Sequence, residues 1–246
     1  HLFCHSSHEV ESFHETLGIS KDRIHLVGVT RHHPSWIRFL AGFQPSHRLT
    51  GSRATLLIIS RAEKEQRLPI DRRVGYLRDI KAVSLALGLH IKVKPHPRET
   101  DFQLYFEVFG TEGPDQLWSL TDRQITLLAA ETAFAVCFRS YTCLDLTIMG
   151  VPTIERLNLI GLPDYDHQLA DRDASGAPIL EIRRDGHVLG ASTRSEFFNR
   201  VDQVMTDRSN CVKNLREAYE RYYFRPVVSP RVIANQVLRA LDRSQQ

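Results

Sequence analysis

Short apolar runs bounded by turn-forming residues alternate along the chain with stretches whose apolar positions repeat at helical spacing. Residues 54–60, 90–94, 133–138 and 151–154 predict buried strands, and residues 2–5 and 23–27 give two further candidates. Between them, Val74, Leu77, Ile80, Val83, Leu85 and Leu87 form a helical stripe that stops at Gly88, a residue suited to ending a helix. Residues 102–109 predict a short helix ended by Gly110, and residues 141–149 another closed by Gly150. Two more are predicted over 195–205 and 211–223, and Pro230 opens an amphipathic helix running through Leu241. Strands alternating with helices in this way predict an α/β fold, a Rossmann-like parallel sheet with helices on both faces.

Two stretches interrupt the pattern. Asp185-Gly186, between residues 179–182 and 187–189, is a two-residue hairpin signal and predicts a small appended hairpin. Residues 43–52 are polar and rich in turn formers, just ahead of the first buried strand, and predict a change of domain. Residues 1–45 then carry a strand–helix–strand remnant of a preceding domain and a linker. Residues 46–246 form the main domain, with the last helix crossing away from it. The start at His1-Leu2-Phe3 reads as a cut inside a longer protein.

Composition narrows the chemistry. The chain has 246 residues, 42% hydrophobic and 25% charged, as in an ordinary globular protein. No apolar run approaches the roughly 20 residues of a membrane helix. With 32 basic against 29 acidic side chains the net charge is +3, too small a footprint for a general nucleic-acid binder but compatible with one local phosphate site. Cys4, Cys137, Cys143 and Cys211 are scattered without a CxxC pair and read as reduced core thiols in a cytoplasmic protein, not a zinc site. The 12 histidines show no metal-ligand spacing.

Lys94-Pro95-His96-Pro97-Arg98-Glu99 follows a predicted strand directly. Proline on both sides stiffens the turn and presents His96 at the strand's C-terminal end, the edge where open α/β sheets bind ligands. An imidazole there donates a hydrogen bond to phosphate, and Lys94 and Arg98 raise the local positive potential. The plainer alternative is a stiff turn with an exposed histidine. Arg139-Ser140-Tyr141-Thr142 lies between a strand and a helix start, where backbone N–H groups and two hydroxyls could hold an anion; alternatively Ser140 is only a helix cap. Asp145 is either a ribose ligand or an acid complementing the helix dipole. Ser60-Arg61 ends the first strong strand, and its guanidinium could reach a diphosphate or stand in an exposed loop.

Together these residues resemble the C-terminal, donor-binding domain of GT-B glycosyltransferases, above all bacterial capsule and surface-polysaccharide enzymes. Lys94-Pro-His-Pro97 resembles the "HP" motif of bacterial sialyltransferases, some Kdo transferases and CDP-glycerol-dependent teichoic-acid polymerases. Ser140-Tyr-Thr142 is similar to their Ser/Thr motif. The resemblance implies that both motifs hold donor phosphates, with His96 as the catalytic group. Asp145 with Gly150-Val-Pro152 is similar to the ribose-binding acid and GxP turn of the wider class, where the acid is mostly Glu. Residues 5–9, 17–19 and 24–28 resemble the last strand–helix–strand before the GT-B linker, and the resemblance would put Glu9, Asp22 and His32 near the cleft as remnants of a catalytic group.

The function implied is sugar transfer from a nucleotide donor, a CMP-sugar or CDP-glycerol before a UDP-sugar, to a saccharide or lipid-linked acceptor. No cofactor beyond that donor, no metal and no nucleic acid is expected. An N-terminal GT-B half is expected to supply the acceptor site, with the protein in the cytoplasm or at the inner face of the membrane. The alternatives are a hydrolysing UDP-N-acetylglucosamine 2-epimerase, whose His-Arg-Arg-Glu run Lys94–Glu99 partly resembles, and a non-catalytic nucleotide-binding domain.

Overall fold

A computed structural model describes residues 2–42, 54–61, 68–162, 170–223 and 228–244. Contacts divide the chain into two compact units, His1–Phe43 with Glu217–Gln246, and Gln44–Arg216. The turn-rich stretch 43–52, where the sequence predicts a change of domain, lies outside the described residues.

The first unit is built on two short parallel strands, β1 (Leu2–Cys4) and β2 (Ile24–Leu26), joined through helix α1 (Ser7–Leu17). Ser6 caps α1 by accepting from the Glu9 N–H, and Gly18 ends it in a left-handed conformation, φ 64°. Helix α2 (Pro34–Ala41) follows. The unit closes on itself across the chain: the Val228 N–H donates to the Val27 carbonyl at 3.0 Å, and buried His32 meets the Tyr219 hydroxyl at 2.8 Å.

The second unit contains one six-stranded sheet. Its strands are β3 (Thr55–Ile59), β4 (His90–Lys94), β5 (Trp118–Leu120), β6 (Thr132–Cys137), β7 (Thr153–Arg156) and β10 (Leu189–Ala191). They lie in the order β10-β7-β6-β3-β4-β5, every pair parallel. The central strands are apolar on both faces because helices cover both: Leu56, Leu57, Ile58, Phe134, Ala135 and Val136 are fully buried. Those helices are α3 (Ile70–Leu87), α4 (Gln103–Phe109), α5 (Ile125–Leu128), α6 (Thr142–Ile148), α7 (Glu181–Arg184), α8 (Arg194–Thr206) and α9 (Arg208–Tyr222), the last running on into the first unit, which α10 (Pro230–Ser244) ends. The sheet is the Rossmann-like α/β arrangement that the alternation predicts.

The structure departs from the sequence pattern at two elements. On α3 the buried face runs through Tyr76, Leu77, Ile80 and Val83, whereas Leu85 and Leu87 of the predicted stripe are exposed. Asp185-Gly186 is not a hairpin. Residues Glu181–Arg184 form one helical turn, Gly186 (φ 76°) ends it, and the His187 and Gly186 N–H groups return to the carbonyls of Ile182 and Arg183 at 2.9 and 3.1 Å. Asp-Gly serves any site that needs a positive φ, and here it is the C-terminal cap of a helix, not a hairpin turn. The small antiparallel hairpin of this unit lies earlier, between β8 (Asp171–Arg172) and β9 (Pro178–Ile179), around the Asp173 and Gly176 turn.

Candidate functional site

In a sheet of this order the connections leave in opposite directions from β3 and β6, the first strand going to β4 and the fourth to β7. That reversal opens a crevice outside the C-terminal ends of the strands, where helices diverge to either face and where such sheets bind ligands. The register sharpens the location. Lys94, Ile59 and Cys137 are paired across β4, β3 and β6, so the three strands end level. Two residues further on, each loop carries Arg61, His96 or Arg139. Since β4 and β6 are both neighbours of β3, the His96 and Ser140 loops rise from strands about 10 Å apart.

The His96 loop is a closed turn. The Glu99 N–H donates to the His96 carbonyl at 2.8 Å, and the Arg98 N–H donates to His96 Nδ1 at 3.2 Å. A backbone donor on Nδ1 makes that nitrogen the acceptor, so in the neutral ring the proton sits on Nε2. Beneath the turn the buried Glu99 carboxylate accepts from the His96 N–H at 3.3 Å, the Tyr105 hydroxyl at 3.2 Å and the Ser60 hydroxyl. Ser60 Oγ also lies 2.6 Å from the Tyr105 hydroxyl. Burial, and after it the Glu99 charge, pushes the Tyr105 phenol up, so it stays a hydrogen-bond donor.

The loop after β6 carries the one non-glycine residue among those described with a left-handed backbone, Arg139 at φ 93°. Its carbonyl accepts from Arg61 Nη1 at 2.8 Å, a bond that spans the ends of β3 and β6. Ser140 Oγ accepts from the Thr142 N–H at 3.3 Å and donates to Thr142 Oγ1 at 3.0 Å, so the two hydroxyls form one polar group at the opening of α6. Both are half-buried. Asp145 lies one turn inside α6 and is buried.

The structure thus brings Ser60, Arg61, Lys94, His96, Pro97, Arg98, Arg139, Ser140 and Thr142 to one rim of the sheet. Within that group Ser60 is turned into the fold, 3% exposed against Glu99 and Tyr105, and Lys94 Nζ donates to the Asp122 carbonyl at 2.6 Å, towards β5. Pro97 and Arg98 stand exposed. In the first unit, Glu9 accepts from the His5 N–H at 2.7 Å, Asp22 from the Ser20 hydroxyl, and His32 is taken up by Tyr219.

Sequence reading missed the group that underlies this rim. Glu99 was visible only as the last letter of a motif, and Tyr105 carried no signal. Arg73, buried on α3, lines a small cavity with Leu77, Tyr105 and Phe138 at this end of the sheet. Behind the Ser140 loop, Glu155 on β7 is wholly buried and held by Arg183 Nε at 2.8 Å; burial raises its pKa and the Arg183 charge opposes that. Among the described residues no group of three or more His, Cys, Asp or Glu could hold a metal ion, and no helix is long and apolar enough to cross a membrane.

A parallel six-stranded sheet of this order, flanked by helices, matches a Rossmann-like half of the GT-B architecture. No protein-family model matches the sequence, and the comparison with curated proteins gives no match. Solved structures do match. A variant of the wall teichoic acid polymerase TagF superposes with TM-score 0.60 at 12% identity, over 100% of this chain and 59% of that one. MnaA of S. aureus, in complex with UDP, gives TM-score 0.61 at 8% identity, over 98% of this chain and 59% of that one. The UDP-GlcNAc 2-epimerase of Neisseria meningitidis bound to UDP-GlcNAc gives TM-score 0.57 at 11% identity, over 96% of this chain and 61% of that one. The chain therefore spans about three fifths of the length of these proteins, and at such identities the likeness is one of fold.

Proposed function

We propose that this chain is the donor-binding half of a glycosyltransferase of bacterial surface-polysaccharide synthesis, acting on a CMP-sugar or CDP-glycerol. One observation carries the reading: a rigid Pro-His-Pro turn and a Ser/Thr pair stand on one rim at the topological switch point, flanking the end of β3. His96 and Thr142 would donate to the leaving phosphate, where negative charge grows as its bond to the transferred group breaks, and Ser140 would orient the Thr142 hydroxyl by donating to its Oγ1. Donors already fixed in place cost no reorganisation at that moment. Arg61, Lys94, Arg98 and Arg139 add positive potential, and Asp145 would accept from ribose hydroxyls. The acceptor and the N-terminal half belong to the longer protein that the reading requires, and that protein would work in the cytoplasm or at the inner face of the membrane.

The epimerase reading has its own support, because two of the similar structures described above carry UDP or UDP-GlcNAc. Supplying the full-length protein with UDP-N-acetylglucosamine and, separately, with CDP-glycerol and CMP-sugars distinguishes the two. Nucleotide release that depends on a saccharide or lipid-linked acceptor supports transfer. Conversion of UDP-N-acetylglucosamine to UDP and a free 2-epimerised sugar without acceptor contradicts it.

A further inference from the structure

Resting on the reading of His96 as the phosphate ligand, we infer that Glu99 is the positioning residue of this site, holding the His96 turn so that the imidazole offers its Nε2–H to the donor. A carboxylate beneath a loop is expensive to bury unless its oxygens are hydrogen-bonded, and apolar packing would serve stability as well. Glu99 is 9% exposed, and its two oxygens collect three donors from three separate places in the chain. The Ser60 hydroxyl comes from the end of β3, the Tyr105 hydroxyl from α4, and the His96 N–H from the turn itself. The Glu99 N–H closes the same turn on the His96 carbonyl at 2.8 Å. The carboxylate therefore fixes the backbone of His96 to the strand end that runs between the two halves of the rim.

Side-chain orientation follows from that backbone. With the turn closed, the Arg98 N–H lies 3.2 Å from Nδ1, which selects one ring orientation and one tautomer. An untethered turn would let the ring rotate and both tautomers interchange. Ser60 is part of the same device: its hydroxyl meets Glu99 and Tyr105 within the fold, so it acts on the ligand through the His96 turn.

The substitutions Glu99→Ala and Glu99→Gln, made in the whole chain, separate positioning from packing. A glutamine carbonyl can accept from Ser60 and the His96 N–H while its amide donates to Tyr105, so Glu99→Gln keeps the turn; alanine cannot. The first readout is long-range proton–nitrogen NMR of the His96 ring without nucleotide. We expect one tautomer, protonated on Nε2, in the unsubstituted protein and in Glu99→Gln, and a mixture in Glu99→Ala. The second readout is CDP affinity, expected to fall about tenfold in Glu99→Ala and to be retained in Glu99→Gln. Should Glu99→Ala not fold, Ser60→Ala removes one of the three donors and is expected to mix the tautomers in the same direction. A single unchanged tautomer in the folded alanine variants, or loss of it in Glu99→Gln as well, overturns the inference. The nucleotide-site reading fails by a different result: a His96→Ala protein that binds CDP as tightly as the unsubstituted chain, whatever the tautomers show.

Discussion

At the residue scale the backbone of Arg139 is the most informative single feature. A side chain held at φ 93° costs on the order of 1–3 kcal/mol, and such outliers persist where surrounding bonds over-determine them, here the Arg61 guanidinium on the Arg139 carbonyl. Comparing Arg139→Gly with Arg139→Ala isolates the backbone, since both remove the side chain. At an ordinary position glycine is less stable than alanine by about 0.5–1 kcal/mol; here we expect glycine to be the more stable by about 1 kcal/mol in urea unfolding. Alanine as the more stable variant would contradict the strained conformation. Cys137 and Cys143 give a second test at this scale. Both thiols are pushed up, first by burial and then by neighbouring groups, Glu155 among them, and only the thiolate is nucleophilic. Iodoacetamide at mildly alkaline pH should leave both unmodified in the folded protein and label both after unfolding. Rapid labelling of either in the folded state would place it outside the core. Sequence alone placed His96, Ser140 and Thr142 just beyond strand ends, because proline-flanked and strand-ending positions are local signals. Glu99 and Tyr105 were illegible as a pair, since what joins them is a shared carboxylate and not a motif.

At the scale of elements, buried strands were the most legible part of the chain: uniform apolar runs such as 54–60 have no other use in a chain with this alternation. The edges of the sheet were not. β5 and β10 are three residues each, too short for a period to show, and Trp118 and Ala191 are buried by what packs on them. The misreading at Asp185-Gly186 has the same origin, because the dipeptide announces a positive φ and says nothing of whether a helix or a strand precedes it. The element that replaces the expected hairpin holds the β10 edge. Arg183 of α7 donates to Glu155 at 2.8 Å, to Ser192 Oγ at 2.7 Å and to the Leu157 carbonyl at 2.9 Å. Its stem passes so close over Gly190 that a Cβ there would sit 2.6 Å from Arg183 Cδ and Nε. Gly190→Ala should therefore displace Arg183 from a fully buried partner and destabilise the second unit by about 2–4 kcal/mol in denaturant unfolding. A change below about 0.5 kcal/mol would mean that the Glu155–Arg183 pair tolerates movement and does not hold the edge.

At the scale of the whole molecule, the chain combines a complete six-stranded sheet with a unit containing two short parallel strands, and it spans about three fifths of the similar proteins. We therefore expect this chain to bind nucleotide but not by itself to carry sugar to an acceptor; robust acceptor-dependent transfer by these 246 residues would show the reaction site to be wholly within them. On the proposed reading, the rim at the switch point is a phosphate site with His96 as a principal donor. The most direct measurement is calorimetric titration of CDP into the unsubstituted chain and into His96→Ala, with folding checked by thermal unfolding. Loss of a hydrogen bond to a charged group predicts binding weaker by about 1.5–3 kcal/mol, roughly 10- to 150-fold, with little change in melting temperature in the absence of nucleotide. Equal affinities in the two proteins would contradict the claim.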